Sequence, residues 1–469
     1  MSPRFLPRFA LAVLILVLPA STALAVEVQR VISPGGVEAW LVEDHSNPII
    51  SVQFAFRGSA ALDPAGKEGL ANMASGLLDE GAGPLDSQAF QERLASLSIR
   101  LSFDAGLDNF RGEMQTLTEN ADTAFDLLRL AVSEPRFDPE PLERIRGQIL
   151  SMLKRESNDP GRIASRTLRR LLFGEHPYAR PVNGTIDSVQ ALTAEDFRRF
   201  AAARLVREGL VVAVVGDITA DDLARQLDRS FGKLPATADS AVVAEITPAA
   251  TGEFLVVEQD VPQSVVAMGH AGLKRDDPDF FAAYIVNYVL GGGGFSSRFY
   301  SEVREKRGLA YSVYSYLSPL DHAGLVMGGV ATQNAAVAES IEIMRAEWRR
   351  MAESGPTAEE LRDAKTYLTG SYPLRFSSSG RIARILVGIQ LEDLGIDYIN
   401  ERNALIEAVT LDDAERVARR LYDPEALTVV VVGMPEGLEA ARRLSDGGGE
   451  TAPAADGASE SALPSQKRL

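Results

Sequence analysis

Thr193 to Gly216 reads TAEDFRRFAAARLVREGLVVAVVG, and Thr410 to Gly433 reads TLDDAERVARRLYDPEALTVVVVG. The stretches align without a gap at an offset of 217 residues, with 10 of 24 positions identical. Each has the same physical reading. Thr193 with Asp196, and Thr410 with Asp413, form capping-box starts to amphipathic helices. A short connection leads to a Val-rich buried strand, Leu210 to Val215 or Leu427 to Val432, that stops at Gly. The regions ahead of these units also match. Leu41-Val42-Glu43 precedes a strand from Ile49 to Phe56, and Val256-Val257-Glu258 precedes one from Ser264 to Met268. Two matches in the same order point to duplication. The order strands, helices, then a helix–strand close predicts an α+β fold of two homologous halves. Each half is expected to be a mixed or antiparallel sheet covered by helices, the two forming a clam-like chain.

Working outward sets the boundaries. The Ala-, Thr- and Pro-rich stretch 235–251 separates residues 26–240 from 250–445. Residues 447–469 carry almost no large apolar side chain and are expected to be a disordered tail. At the other end, Arg4 and Arg8 precede an apolar run from Phe9 to Leu18, and Ala23-Leu24-Ala25 forms an A-x-A site. Residues 1–25 are therefore expected to be a signal peptide, which makes the protein periplasmic. No later run approaches the roughly 18–20 apolar residues of a membrane-spanning helix, so no membrane insertion is expected. The 469-residue chain contains no cysteine, which removes disulfides and lipid attachment at Cys. A formal net charge of −17 argues against nucleic acid or an anionic bilayer as partner.

Few residues are suited to catalysis or metal binding. The four histidines, His45, His176, His270 and His322, are far apart in sequence and read as turn, surface or packing residues. There is no H-x-x-x-H, no G-x-S-x-G and no Walker lysine after Gly291–Gly294.

Two segments carry a family resemblance. Gly69 to Gly81 reads GLANMASGLLDEG, and Leu290 to Leu317 reads LGGGGFSSRFYSEVREKRGLAYSVYSYL. Both resemble the pitrilysin/insulinase-like zinc metallopeptidases, over roughly Val26 to Leu444. In that family the first segment carries H-x-x-E-H, with two histidines on one helix face for zinc and a glutamate to activate water. The corresponding positions here are Asn72, Ser75 and Gly76, a degenerate zinc motif. The third ligand, normally Glu, falls near Ser151 or Met152, and Glu156 is the nearest carboxylate. The resemblance implies no metal or other cofactor in this chain.

The second segment resembles the family's Arg/Tyr signature. Ser296 or Ser297 is expected to cap a helix running through Arg307, with Gly308 as its stop. Leu309 to Leu317 then alternates as a strand with Tyr311, Val313, Ser315 and Leu317 on one face. The resemblance assigns Arg304 and Tyr311 to the substrate carbonyl, and Gly291, Gly292, Gly293 and Gly294 to close approach of the substrate. It implies a zinc-free subunit, inactive alone. Its partner would be a homologous H-x-x-E-H-bearing subunit that holds the zinc and an unfolded peptide substrate. The alternative is a non-catalytic peptide-binding or structural homodimer of the same fold.

Overall fold

The computed structural model describes residues 26–237, 242–438, 442–445 and 450–451. The expected signal peptide and nearly all of the expected tail lie outside the described residues. Of that tail, Glu450–Thr451 is paired as a strand.

Two sheets organise the chain. The first contains β1 (Gln29–Ile32), β2 (Glu38–Glu43), β3 (Ile49–Arg57), β4 (Arg100–Ala105), β5 (Asn109–Leu117) and β6 (Val211–Gly216), in the order β1-β2-β6-β3-β5-β4. The second contains β7 (Phe254–Glu258), β8 (Gln263–Ala271), β9 (Ala310–Leu320), β10 (Ala323–Gln333), β11 (Thr428–Gly433), β12 (Arg442–Ser445) and β13 (Glu450–Thr451), in the order β13-β12-β7-β11-β8-β10-β9. Removing β1, β12 and β13 leaves two identical five-strand topologies. β6 runs parallel to β2 and antiparallel to β3, as β11 does to β7 and β8. The register repeats as well, with Glu43 opposite Gly216 and Glu258 opposite Gly433.

The repeated sequence dictates this local structure. Thr193 and Asp196 exchange capping bonds at the start of the helix Ala194–Arg204, and Thr410 and Asp413 do so for Leu411–Leu421. Both strands end on a glycine at positive φ, +143° at Gly216 and +151° at Gly433. A Cβ there would collide with Ile49 O or with Ser264 Oγ, so only Gly permits the strand exit.

The Val-rich strands are buried on both faces, and each face belongs to a different core. Val212 and Val214 join the core of the first half, while Ala213 and Val215 meet Ala383, Leu386 and Val387. Those residues lie on the helix Ser379–Leu391, which comes from the second half and packs on β3 and β6. Reciprocally, Val430 and Val432 meet Ile163, Leu168 and Leu172 on the helix Pro160–Phe173 of the first half. Each half thus lends one helix to the outer face of the other half's sheet. The Asp159-Pro160 turn starts one of these helices, with Asp159 accepting the Arg162 amide at 2.9 Å.

His270 is a packing residue. Its Nδ1 lies 2.6 Å from Ala271 O, and its Nε2 accepts the Trp348 indole N–H at 3.0 Å. This arrangement needs the neutral ring with the proton on Nδ1. Burial lowers its pKa below the usual value. In the unfolded chain it titrates near ~6.5, so below that pH the unfolded state binds the extra proton. Stability contributed by this site is full above about pH 6.5 and declines as pH falls. His270→Gln keeps an acceptor for Trp348 and does not titrate. Its melting temperature is expected to fall less than that of the parent between pH 7.5 and 5.5, as followed by circular dichroism.

Candidate functional site

The stretch read as a degenerate motif lies on a short helix, Leu70–Ser75, with Gly76 as its C-cap. Its entry is fixed by Gly69 at φ +92° and by the Asp63 carboxylate, which accepts the amides of Gly69 at 3.1 Å and Ala71 at 3.2 Å. Met73, Ala74, Leu77 and Leu78 anchor it in the first core. Asn72, Ser75 and Gly76 are half-buried, at the i, i+3, i+4 spacing that places them on one face. The Ser75 hydroxyl turns back to donate to Asn72 O at 2.7 Å. A Cβ at Gly76 would meet nothing closer than Ile145 Cγ2 at 3.4 Å, and Gly76 has φ −84°. The backbone would therefore accept a side chain at this position.

The polar side chains near the expected third-ligand position are committed elsewhere. Ser151 Oγ donates to Gly147 O at 2.8 Å. Glu156 accepts from Asn183 Nδ2 at 3.2 Å and lies 3.5 Å from Arg162. Asp79 and Glu80, just after this helix, are also tied in. Burial pushes the Asp79 carboxyl up to about 6, and Glu80 pairs with Arg144 at 2.5 Å. Among the described residues no group of three or more His, Asp or Glu side chains could hold a metal ion.

The second cluster begins at Gly291–Gly294. Three of these glycines are demanded by packing. A Cβ at Gly291 would lie 2.5 Å from Ser315 Oγ, one at Gly292 2.8 Å from Asn287 Nδ2, and one at Gly293 2.7 Å from Tyr288 O. Gly294 has φ +56° and open space around its Cα. The run lies against the edge strand β9, where Ser315 Oγ donates to Asn287 Oδ1 at 2.8 Å.

The expected regular helix through Arg307 is replaced by a π-helical turn, Tyr300–Glu305. Lys306 N donates to Ser301 O, an i to i−5 bond characteristic of a widened turn. Arg298 anchors the segment. Its Nε and Nη2 each lie 2.7 Å from a Glu360 oxygen, and despite burial this fork and the Thr357 amide hold Glu360 down at about 2. Gly308 turns the chain at φ +64°.

Tyr311 departs from the expected face. Thr332 pairs with Ala310 while Ala331 pairs with Ser312, so Tyr311 is the extra residue of a β-bulge. Val313 and Ser315 are buried, whereas Tyr311 is 82% exposed. The bulge aims its ring at Arg304. The guanidinium carbon lies 4.6 Å from the Tyr311 ring centroid and 5.0 Å from that of Tyr300, and Nη1 donates to Tyr311 O at 2.9 Å. Arg304 is thus held against the rings of Tyr311 and Tyr300, with that of Phe295 at 6.0 Å, and the Tyr311 hydroxyl has no hydrogen-bond partner among the described residues. Tyr300 escaped the sequence reading, although its place four residues before Arg304 was the available signal. No hydrogen bond, ion pair or ring contact among the described residues joins this cluster to Asn72, Ser75 and Gly76.

A family profile described as "Peptidase M16 inactive domain" matches residues 191–368. An uncharacterized zinc protease of Streptomyces coelicolor is 32% identical over 341 residues, covering 68% of this chain and 73% of that protein. This chain belongs to the pitrilysin-like peptidase M16 family. The Helicobacter pylori protein named non-peptidase homolog YmxG is 30% identical over 336 residues, covering 71% of this chain and 77% of that protein. A crystal structure titled as the peptidase M16 inactive domain from Pseudomonas fluorescens superposes with a TM-score of 0.81 at 26% identity, over 87% of this chain and 98% of that one. The chain is an M16 homologue, and Asn72, Ser75 and Gly76 stand where the sequence resemblance expects the metal-binding motif.

Metal analysis of the purified chain is expected to find far less than one zinc per molecule, with no chelator-sensitive peptide cleavage. Stoichiometric zinc would contradict the degenerate-motif reading.

Proposed function

We propose that this M16 chain is the zinc-free subunit of an exported, heteromeric metallopeptidase. A homologous subunit with intact H-x-x-E-H supplies the zinc and the water it activates. Arg304 and Tyr311 act in trans on the peptide held there. The observation that carries this reading is the Arg304–Tyr311 pair itself. A guanidinium fixed against aromatic rings and an exposed, unpartnered phenol both present hydrogen-bond donors. Donors fixed in advance are what a scissile carbonyl and its oxyanion need. The bulge, the π turn and the Arg298–Glu360 fork hold the pair in place. A purely structural subunit has no use for such an exposed arrangement. On this reading the glycine run sets the height of the pair against β9, and Gly294 is left as the point nearest the substrate.

The test is reconstitution with an M16 homologue from the same organism that carries H-x-x-E-H. The two chains are expected to co-elute as one complex with one zinc per pair. Peptide cleavage is expected only in that complex and is abolished by a chelator. Full activity of the partner alone would remove the proposed role. A periplasmic address is part of the same reading and is checked by cell fractionation.

A further inference from the structure

A cavity of about 810 Å³ lies between the two halves. Its volume falls within the ~300–1,000 Å³ typical of ligand sites, which favour such junctions. One wall is the polar face of the helix Pro160–Phe173. Arg162, Arg166 and Arg169 recur there at i, i+4 and i+7, while Ile163, Leu168 and Leu172 on the opposite face pack on the second sheet. Arg111 enters from β5. Arg162 is near Glu156, but Arg111, Arg166 and Arg169 form no hydrogen bond or ion pair among the described residues.

Arg169 is the decisive group. It is half-buried, and burial lowers its pKa. Tyr316 and then Asp108 are the groups that act on its charge, but both Asp108 oxygens are already engaged. One accepts the Tyr178 hydroxyl at 2.6 Å, and the other the Asp321 amide at 3.3 Å. A half-buried guanidinium without an ion-pair partner is favourably placed to meet an anion. The second half supplies Asp321 and Glu392 to the same cavity, and burial raises both carboxyls. Asp104 and Asp187 lie at its margin. This acidic surround disfavours a doubly charged phosphate more than a singly charged carboxylate. It also suits a ligand that carries a positive group at its other end.

We propose that this cavity binds a short peptide, with Arg169 and Arg166 receiving its carboxylate. The site requires no partner subunit, so it is tested on the chain alone and its outcome is separate from that of the proposed peptidase role. Calorimetry compares tetra-alanine, its C-terminal amide, and N-acetyl-Ala-Glu-Ala-amide. Tetra-alanine is expected to bind at least about tenfold more tightly than its amide, as befits a charge-assisted bond. Arg169→Gln should abolish that preference and Arg169→Lys should retain part of it. Binding of the acetylated glutamyl peptide as tightly as tetra-alanine would support the carboxylate site and assign it to side chains instead of chain ends. If Arg169→Gln does not fold, as judged by circular dichroism, the exposed Arg166→Gln carries the same comparison. Equal binding of acid and amide, an acid preference that survives these substitutions, no binding of any peptide, or tighter binding of inorganic phosphate would overturn the proposal.

Discussion

In a complex with a zinc-bearing partner, Tyr311→Phe is expected to lower peptide turnover about 10²–10³-fold, or roughly 2.7–4 kcal/mol, the usual effect of losing one oxyanion donor. The substitution is narrow. Phe keeps the ring that stacks at 4.6 Å on Arg304, and the backbone carbonyl that Arg304 holds at 2.9 Å is unchanged. Only the hydroxyl is lost. Turnover should therefore fall with little change in KM, since the lost bond is strongest in the transition state. Arg304→Ala should affect both parameters, because it removes a charge and also frees the Tyr311 ring. Arg304→Lys should not rescue it, because Lys lacks the planar fork that lies against Tyr300 and Tyr311. The measurement is a steady-state cleavage assay on complexes verified by size-exclusion chromatography. If Tyr311→Phe and Arg304→Ala both form complex and cleave at the parental rate, the trans-acting role is wrong.

The sequence showed the duplicated units because local rules dictate them. Capping Thr/Asp pairs, Val runs and terminal glycines are each set by neighbours a few residues away, and they appear at Thr193–Gly216 and Thr410–Gly433 as read. The α+β class followed from their order. The turn at Gly308 was likewise legible, since φ +64° there suits Gly without strain, although the helix expected ahead of it is a π turn.

What escaped the reading depends on partners distant in sequence. Strict alternation placed Tyr311 with Val313 and Ser315. The bulge comes from the pairing of β9 with β10, where the shift between Ala331 and Thr332 inserts one residue. No single-strand pattern reveals that. The four glycines looked like a loop suited to substrate approach, yet three of them are explained by contacts with Ser315, Asn287 and Tyr288. Asp79 and Glu80 are likewise covered by Gln91 and Arg144, partners that no local pattern brings to them.

The exchange of helices between the halves is the other long-range feature, and its energetic consequence is large. Leu168 and Leu386 are each fully buried, Leu168 against the second sheet and Leu386 against the first. Leu168→Ala and Leu386→Ala are each expected to cost about 2–5 kcal/mol, the range for buried leucine truncations. Both should lower one shared unfolding transition in urea, because neither sheet keeps its outer cover once the other half opens. Two separable transitions, each moved by only one of the substitutions, would mean that the halves are independent. Cleavage at a protease site inserted within 238–241 provides a second measurement. The nicked chain is expected to remain one particle in size-exclusion chromatography under native conditions. The residue 26–237 fragment expressed alone is expected to be insoluble or to bind a hydrophobic dye. Without the helix Ser379–Leu391 it exposes Ala213, Val215 and Trp40 as a continuous apolar face. A soluble, cooperatively folded fragment would show that the borrowed helix is dispensable and that each half forms a complete core by itself.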